Sequence, residues 1–287
     1  KKIQFLLMDI LLRQGKNEAA MERIEKSIAQ FGMDEGMLRA ALEIRSKIGP
    51  KEIQGKSKGG TISLCMIVKD EEKYLARCLQ SAKAVVDEMI VVDTGSSDRT
   101  KDLAMVFGAK VFDFSWENDF SSARNHSLSK AVGDWILVLD ADEVVAPGDQ
   151  GYLRELISQK GKEPIAYSFV TRNYVNGADY VKWTPNDGAF GEEKGSGWFP
   201  SEKVRLFPRD PRFHFENAVH EVVEPSILRN KISILKSPVL IHHFGKLDEE
   251  KVFRKGEGDF VLGKKKQEEN RLDVQNSKEL AVQCVTA

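Results

Sequence analysis

The sequence predicts an α/β domain with a Rossmann-like, mostly parallel sheet, carrying helical extensions at both ends. Two observations lead there. From Thr61 to Leu139, short apolar runs with β-branched members alternate with segments whose apolar residues fall at helical spacing, the pattern of parallel strands joined by right-handed crossovers. Before that region, apolar residues recur at helical spacing with no strand-like run between them.

The elements follow in chain order. Phe5, Leu6, Met8, Leu11 and Leu12 line a first helix that Gly15 breaks; Ala20, Ile24, Ile28 and Phe31 line a second, and Leu38, Ala41, Leu42 and Ile48 a third. Gly15, Ala20 and Ile24 resemble one tetratricopeptide hairpin, and an ordinary helical hairpin fits them as well. Residues 1–48 are thus expected as a helical extension, and the Gly- and Lys-rich residues 49–60 as a linker. Residues 61–247 are expected to form the α/β domain, and 248–287 the C-terminal helices. Within the domain, strands are predicted at Ile62 to Val68, Met89 to Val92, Lys110 to Phe114 and Trp135 to Leu139. Helices should lie at Tyr74 to Ala82, at Leu103 to Phe107 and from a Ser121 cap to Ala131. Beyond Pro164 the strands lengthen. Asn176-Gly177 is a hairpin signal, residues 184–201 read as a glycine-rich mobile loop, and helices are expected from about Asp248 and over Asn270 to Ala287.

Bulk properties narrow the function. Charged residues make up 30% of the 287, yet the net charge is −1, which argues against nucleic acid or an anionic membrane as an electrostatic partner. Any anionic ligand must be held by a few placed groups. Cys65, Cys78 and Cys284 have neither metal-site nor redox spacing, and the first two read as core residues in a reducing cytosol. The apolar runs are too short to span a bilayer and no signal peptide is visible, so a cytoplasmic location is expected. The chain starts without an initiator Met, which is compatible with a fragment of something longer.

In an open parallel sheet, ligands sit beyond the carboxyl ends of the strands. Here those ends carry Lys69-Asp70-Glu71-Glu72, Asp93-Thr94-Gly95-Ser96-Ser97-Asp98 and Asp140-Ala141-Asp142-Glu143. Helix capping accounts for Asp70 and Asp98. Two carboxylates on alternate residues at a buried strand end, however, repel unless a cation joins them. A divalent ion, Mg²⁺ or Mn²⁺, supplies that charge and completes its shell with phosphate and water, so the cluster points to a phosphorylated ligand.

Four motifs, in order, give the pattern a family: Cys65 to Glu71, Val91 to Thr100, Ala123-Arg124-Asn125, and Trp135 to Glu143. Together they resemble family 2 glycosyltransferases of the GT-A fold over residues 61–145. Arg205-Leu206-Phe207, Val219-His220-Glu221 and His243-Phe244-Gly245 resemble the branch that contains lipopolysaccharide-core glucosyltransferases and tetratricopeptide-linked bacterial transferases. Asp70 stands where that family usually has Asn, and Arg99 where it often has Gly; both read as surface or capping changes.

The resemblance implies transfer of a sugar from a nucleotide-diphosphate donor, a UDP-sugar, with inversion. Backbone at Ile67 and Val68 would line the nucleoside pocket, and Asp93 would accept the N–H of uracil, which cytosine lacks. Arg124 would lie beside the base or diphosphate, unless it only pairs with a neighbouring acid. Asp140 would face the ribose and Asp142 bind the metal, with Glu143 behind them or at a helix start. His243 resembles the later metal or diphosphate ligand; strand alternation lets only one of His242 and His243 reach the site. Glu221, with His220 alongside, is the expected catalytic base, ahead of Asp187 and Glu192, unless it only bridges Arg205 or Arg229. Trp198 would stack on a sugar or anchor its loop. The acceptor stays open among carbohydrate, lipid-linked and protein classes, and the terminal helices are candidates for a protein partner. The alternatives are a non-catalytic nucleotide-sugar-binding module and a nucleotidyltransferase; the second is disfavoured because Lys69-Asp70-Glu71-Glu72 is mostly acidic rather than a basic, Gly-rich phosphate loop.

Overall fold

A computed structural model describes residues 2–55, 59–158, 164–248 and 252–253. Three helices open the chain: Lys2–Arg13 (α1), Asn17–Phe31 (α2) and Glu35–Ile48 (α3). Asp34 starts α3 by accepting the Met37 amide at 2.8 Å, as an N-cap should. Met21, Ile24, Ile28, Leu38 and Ala41 are buried in the same apolar cluster as the sheet, so the extension and the α/β domain share one core. Buried Glu25 on α2 ties them further through ion pairs to Arg45 and Lys83. The segment expected as a linker lies along the domain. The Lys51 amide donates to Gly108 O at 2.8 Å, and its ammonium donates to Lys83 O and Val86 O. Those carbonyls lie at or just after the ends of the helices Leu75–Lys83 and Thr100–Val106, where partners from outside the helix are needed.

Strands and helices then alternate: Ile62–Val68 (β1), Leu75–Lys83 (α4), Glu88–Asp93 (β2), Thr100–Val106 (α5), Lys110–Asp113 (β3), Phe120–Lys130 (α6) and Trp135–Val138 (β4). These four strands are parallel in the order β3-β2-β1-β4. The chain steps outward from β1 to β3 and returns across β1 to β4, so strand order reverses between β1 and β4, where ligand crevices form. Asp119 rather than Ser121 caps α6. Its extended backbone lets the carboxylate accept the Ser122 amide at 3.0 Å, and Ser121 Oγ donates to the same oxygen.

The second half completes the sheet. Glu143–Val145 (β5), Gln150–Ser158 (α7), Ile165–Val175 (β6), Thr184–Pro185 (β7), Gly197–Pro208 (β8), Glu224–Arg229 (α8) and Ser233–His243 (β9) follow. The sheet continues from β4 as β8-β6-β9-β5, with β7 beside β8. Strand β8 runs antiparallel to β4 and β6, β9 parallel to β6, and β5 antiparallel to β9. Asn176-Gly177 does not close a tight hairpin; β6 pairs with β8 across the excursion 176–196. Nor is 184–201 one loop, because β7 and the start of β8 lie within it. Two of its glycines serve close packing: a Cβ on Gly197 would come 2.6 Å from the Trp183 ring, and one on Gly195 2.4 Å from Val175 O. The helices expected after Asp248 fall outside the described residues, apart from Val252 and Phe253.

Candidate active site

Next to the reversal point β1 and β2 end side by side, Val68 opposite Asp93. The Val68 carbonyl accepts from the Thr94 amide at 3.0 Å and the Thr94 hydroxyl at 3.2 Å. Asp93 is buried, and its Oδ1 accepts the Gly95 and Ser96 amides at 2.9 and 2.8 Å. The turn needs φ of 109° at Gly95, which glycine adopts without cost to a side chain. Asp93 Oδ2 is buried with no hydrogen-bond partner among the described residues. A buried polar atom left unpaired costs stability, and this one is an acceptor. Asp70 has φ of 52°, and its Oδ1 accepts the Ser97 amide at 2.7 Å. Asn and Asp both tolerate that left-handed backbone, which explains the exchange at this position. Arg99 pairs with exposed Glu35 on α3.

The end of β4 is an ionic knot. Asp140 and Glu143 hold one turn between them: the Asp140 amide donates to Glu143 Oε2 at 2.8 Å, and the Glu143 amide to Asp140 O at 3.0 Å. Glu143 begins β5, not a helix, because its backbone is drawn into antiparallel pairing with His243. Buried Arg205 from β8 binds Glu143 Oε1 at 2.5 Å and approaches Asp140 Oδ2 at 3.8 Å. Buried Arg124 from α6 pairs with Asp140 through Nη2 and with Glu221 through Nε at 3.2 Å. Burial would raise the Asp140 carboxyl, but Arg124, Arg205 and Lys203 outweigh it and hold the group well below its ordinary range. Burial pushes Glu143 up, Arg205 opposing and Asp140 adding to the shift. The cation that the acidic cluster demanded is therefore, at Asp140, a pair of arginines. Glu221 finds its ion pair in Arg124; Arg205 and Arg229 are taken by Glu143 and Glu216.

Asp142, in the same turn, meets the end of β9. Its carbonyl accepts the Phe244 amide at 3.0 Å, so the turn after β4 is laced to the end of β9. His243 Nε2 lies 3.4 Å from Asp142 Oδ1. His242, one residue earlier, points the other way: it is fully buried, 2.8 Å from the Tyr174 hydroxyl, and its ring is stacked with that of Tyr174. Between Asp142 and His243 the chain has Gly245, where a Cβ would come 2.1 Å from Asp142 Oδ2 and 2.9 Å from His243 Nε2. The missing side chain leaves a cradle between a carboxylate and an imidazole. Among the described residues no group of three or more His, Cys, Asp or Glu forms a complete metal cage. Two protein donors fit an ion that takes its other ligands from a substrate and water.

A family model described as glycosyl transferase family 2 matches residues 63–222, which contain every motif of the first half and Glu221. The chain belongs to glycosyl transferase family 2. It is 38% identical over 190 residues to a TPR repeat-containing protein of Synechococcus elongatus, covering 63% of this chain and 42% of that protein. It is 28% identical over 168 residues to the SPbeta prophage-derived glycosyltransferase SunS of Bacillus subtilis, covering 58% of this chain and 35% of that protein. The chain thus spans less than half the length of either relative. Among solved structures it is similar to the mannosyltransferase PcManGT of Pyrobaculum calidifontis in complex with GDP-Man and Mn²⁺, at 12% identity and a TM-score of 0.46, covering 93% of this chain and 85% of that one. The mixed α/β fold is that of GT-A glycosyltransferases.

Within this family 2 domain, Val68, Asp93, Asp140, Asp142 and His243 all lie at strand ends, and Arg124 and Glu221 join them from α6 and the loop before α8. Asp187 is exposed, and its Oδ1 accepts the Ala189 amide at 3.1 Å. Trp198 lies in β8 with its ring over the Arg172 guanidinium, 4.2 Å from centroid to Cζ. Asn173, in contact with His243, carried no signal in the sequence; nothing in a β-strand pattern distinguishes a buried Asn that orients a neighbour. No helix among the described residues is long and apolar enough to cross a membrane.

Proposed function

We propose that this domain is an inverting, metal-dependent glycosyltransferase that uses a UDP-sugar donor. The observation that carries the reading is the Asp142–His243 pair, packed against Gly245, which has no side chain to displace it. A donor set of one carboxylate and one imidazole suits Mn²⁺ better than Mg²⁺, which prefers oxygen ligands throughout. When bound, such an ion neutralises the charge that develops on a departing diphosphate. The protein's own groups account for the rest. Asp93 presents an unpaired acceptor oxygen to the N–H of uracil. Asp140, kept ionised by Arg124 and Arg205, is a fixed acceptor for ribose hydroxyls.

Glu221 is the base of this proposal. It lines a small pocket together with Arg124, Lys203, Phe215, Val222 and Glu224, on the face where the proposal places the acceptor. There Glu221 would take the hydroxyl proton while the acceptor oxygen attacks the anomeric carbon opposite the leaving diphosphate. A second reading has a specific observation in its favour: the 3.2 Å ion pair to Arg124 makes Glu221 structural. Kinetics separate the two, as set out in the Discussion.

The test of the function is UDP binding by calorimetry, with Mn²⁺ and with chelator, together with hydrolysis of UDP-sugars. We expect binding only with metal, hydrolysis above background, and loss of metal-dependent binding and of turnover in Asp142→Asn with the fold intact. Equal affinity with and without metal would remove the metal assignment, and absence of turnover on any nucleotide sugar would favour the binding-module alternative.

A further inference from the structure

The hydrogen on the His243 ring is placed by a residue with no motif around it. Asn173 on β6 is buried and lies opposite His243 of β9 on one side and Phe199 of β8 on the other. Its Nδ2 donates to the Phe199 carbonyl at 3.1 Å, to Ser201 Oγ at 3.0 Å and, at 3.4 Å, to the Thr171 carbonyl. A backbone carbonyl oxygen only accepts, so the amide nitrogen must be the atom on that side. The side chain cannot flip without setting two oxygens against each other. The atom facing His243 is therefore Oδ1, 2.8 Å from Nδ1. An amide oxygen likewise only accepts, so Nδ1 must carry the hydrogen. In the neutral ring the lone pair is then on Nε2, the atom 3.4 Å from Asp142 Oδ1 and above Gly245.

We propose that Asn173 is a positioning residue that sets His243 in its Nδ1–H tautomer and aims the Nε2 lone pair into the Asp142–Gly245 cradle as a ligand for a divalent cation. Histidines that bind metals are oriented in this way by a partner on the other ring nitrogen. An amide is a suitable partner because, unlike a carboxylate, it adds no charge to a site already rich in acids. The tautomer half of the proposal stands on hydrogen bonding alone; the ligand half rests on the metal reading given above.

The test uses long-range ¹H–¹⁵N spectra of the protein labelled at its five histidines, in mildly alkaline buffer without metal, with His243 assigned by its loss in His243→Gln. Mn²⁺ is then titrated in the presence of UDP and followed by the electron-spin signal of the free ion. The unmutated protein should show the Nδ1–H tautomer. Asn173→Leu should mix the tautomers and weaken Mn²⁺ binding by roughly 10–100-fold. Asn173→Asp keeps an acceptor oxygen toward Nδ1 and should hold the tautomer, at a lower melting temperature because its second oxygen then faces the Phe199 carbonyl. An Nε2–H ring in the unmutated protein overturns the proposal, as does Asn173→Leu with native tautomer and native Mn²⁺ affinity. If Asn173→Leu fails to fold, the unmutated protein and Asn173→Asp decide the same point. Mn²⁺ affinity unaffected by Asp142→Asn would sink the metal reading, and the ligand half with it, whereas the wrong tautomer sinks the Asn173 half alone.

Discussion

Arg124 Nε lies 3.2 Å from Glu221 Oε1, and the same guanidinium holds Asp140. One buried cation thus ties the end of β4 to the loop before α8. Arg124→Met would leave both carboxylates without their shared partner. Removing one member of a buried ionic network costs on the order of 3 kcal/mol here, the low end of the usual range, because the Asp140 side chain is still 32% exposed. Urea unfolding of the variant should report that loss, and a change near zero would mean that solvent screens these pairs.

Glu221→Gln separates catalysis from structure. The amide keeps an oxygen for Arg124 but cannot take a proton, so we expect kcat to fall by about 10²–10⁴-fold with donor affinity little changed. A merely structural Glu221 would instead give a lower Tm and near-normal turnover by the folded fraction. The second pattern would move the search for the base to His220, Glu192 and Asp187.

Asp93→Asn inverts one atom of the base site. Its Oδ1 can still accept the Gly95 and Ser96 amides, while the unpaired Oδ2 becomes an N–H donor. UDP affinity should fall by about 1–3 kcal/mol, the cost of an unmet buried hydrogen bond. CDP, whose ring N3 accepts, should lose less or gain. Parallel titrations with the two nucleotides read the difference, and equal losses for both would remove Asp93 from base recognition.

His242 predicts a pH dependence of stability. Burial pushes its pKa down to about 4 from 6.5, with Arg172 and Arg77 adding to the effect. Between those values the unfolded chain binds the proton and the folded chain does not, so stability rises with pH. The contribution is complete above about pH 6.5 and is lost as pH falls toward 4, to a total of about 3 kcal/mol. Asp140, whose carboxyl is held below its ordinary range, titrates under this window. The stability difference between the unmutated protein and His242→Leu should therefore change steadily from pH 6.5 to 4.5, and a constant difference would contradict it.

The sequence by itself determined the frame of this protein. The β-branched runs from Ile62 to Leu139 locate the three inner parallel strands, because a strand buried on both faces must be apolar throughout; β3, at the edge, has only Val111 and Phe112. With those strands placed, Asp93, Asp140 and Asp142 fall at their carboxyl ends by simple counting. Three helices in the first 48 residues were equally legible, since each has its apolar stripe and a glycine or an Asp at an end. The tertiary structure decided what each charge faces. Only the antiparallel pairing of β9 with β5 sets His243 toward Asp142 and His242 toward Tyr174. Only the packing of α6 and β8 around β4 gives Asp140 two arginines where an isolated Asp-x-Asp implied a metal. Asn173 and Gly245 matter through atoms that meet across strands far apart in sequence. Local pattern records which face of an element is apolar, and it holds no information on which distant side chain will stand opposite a given polar atom.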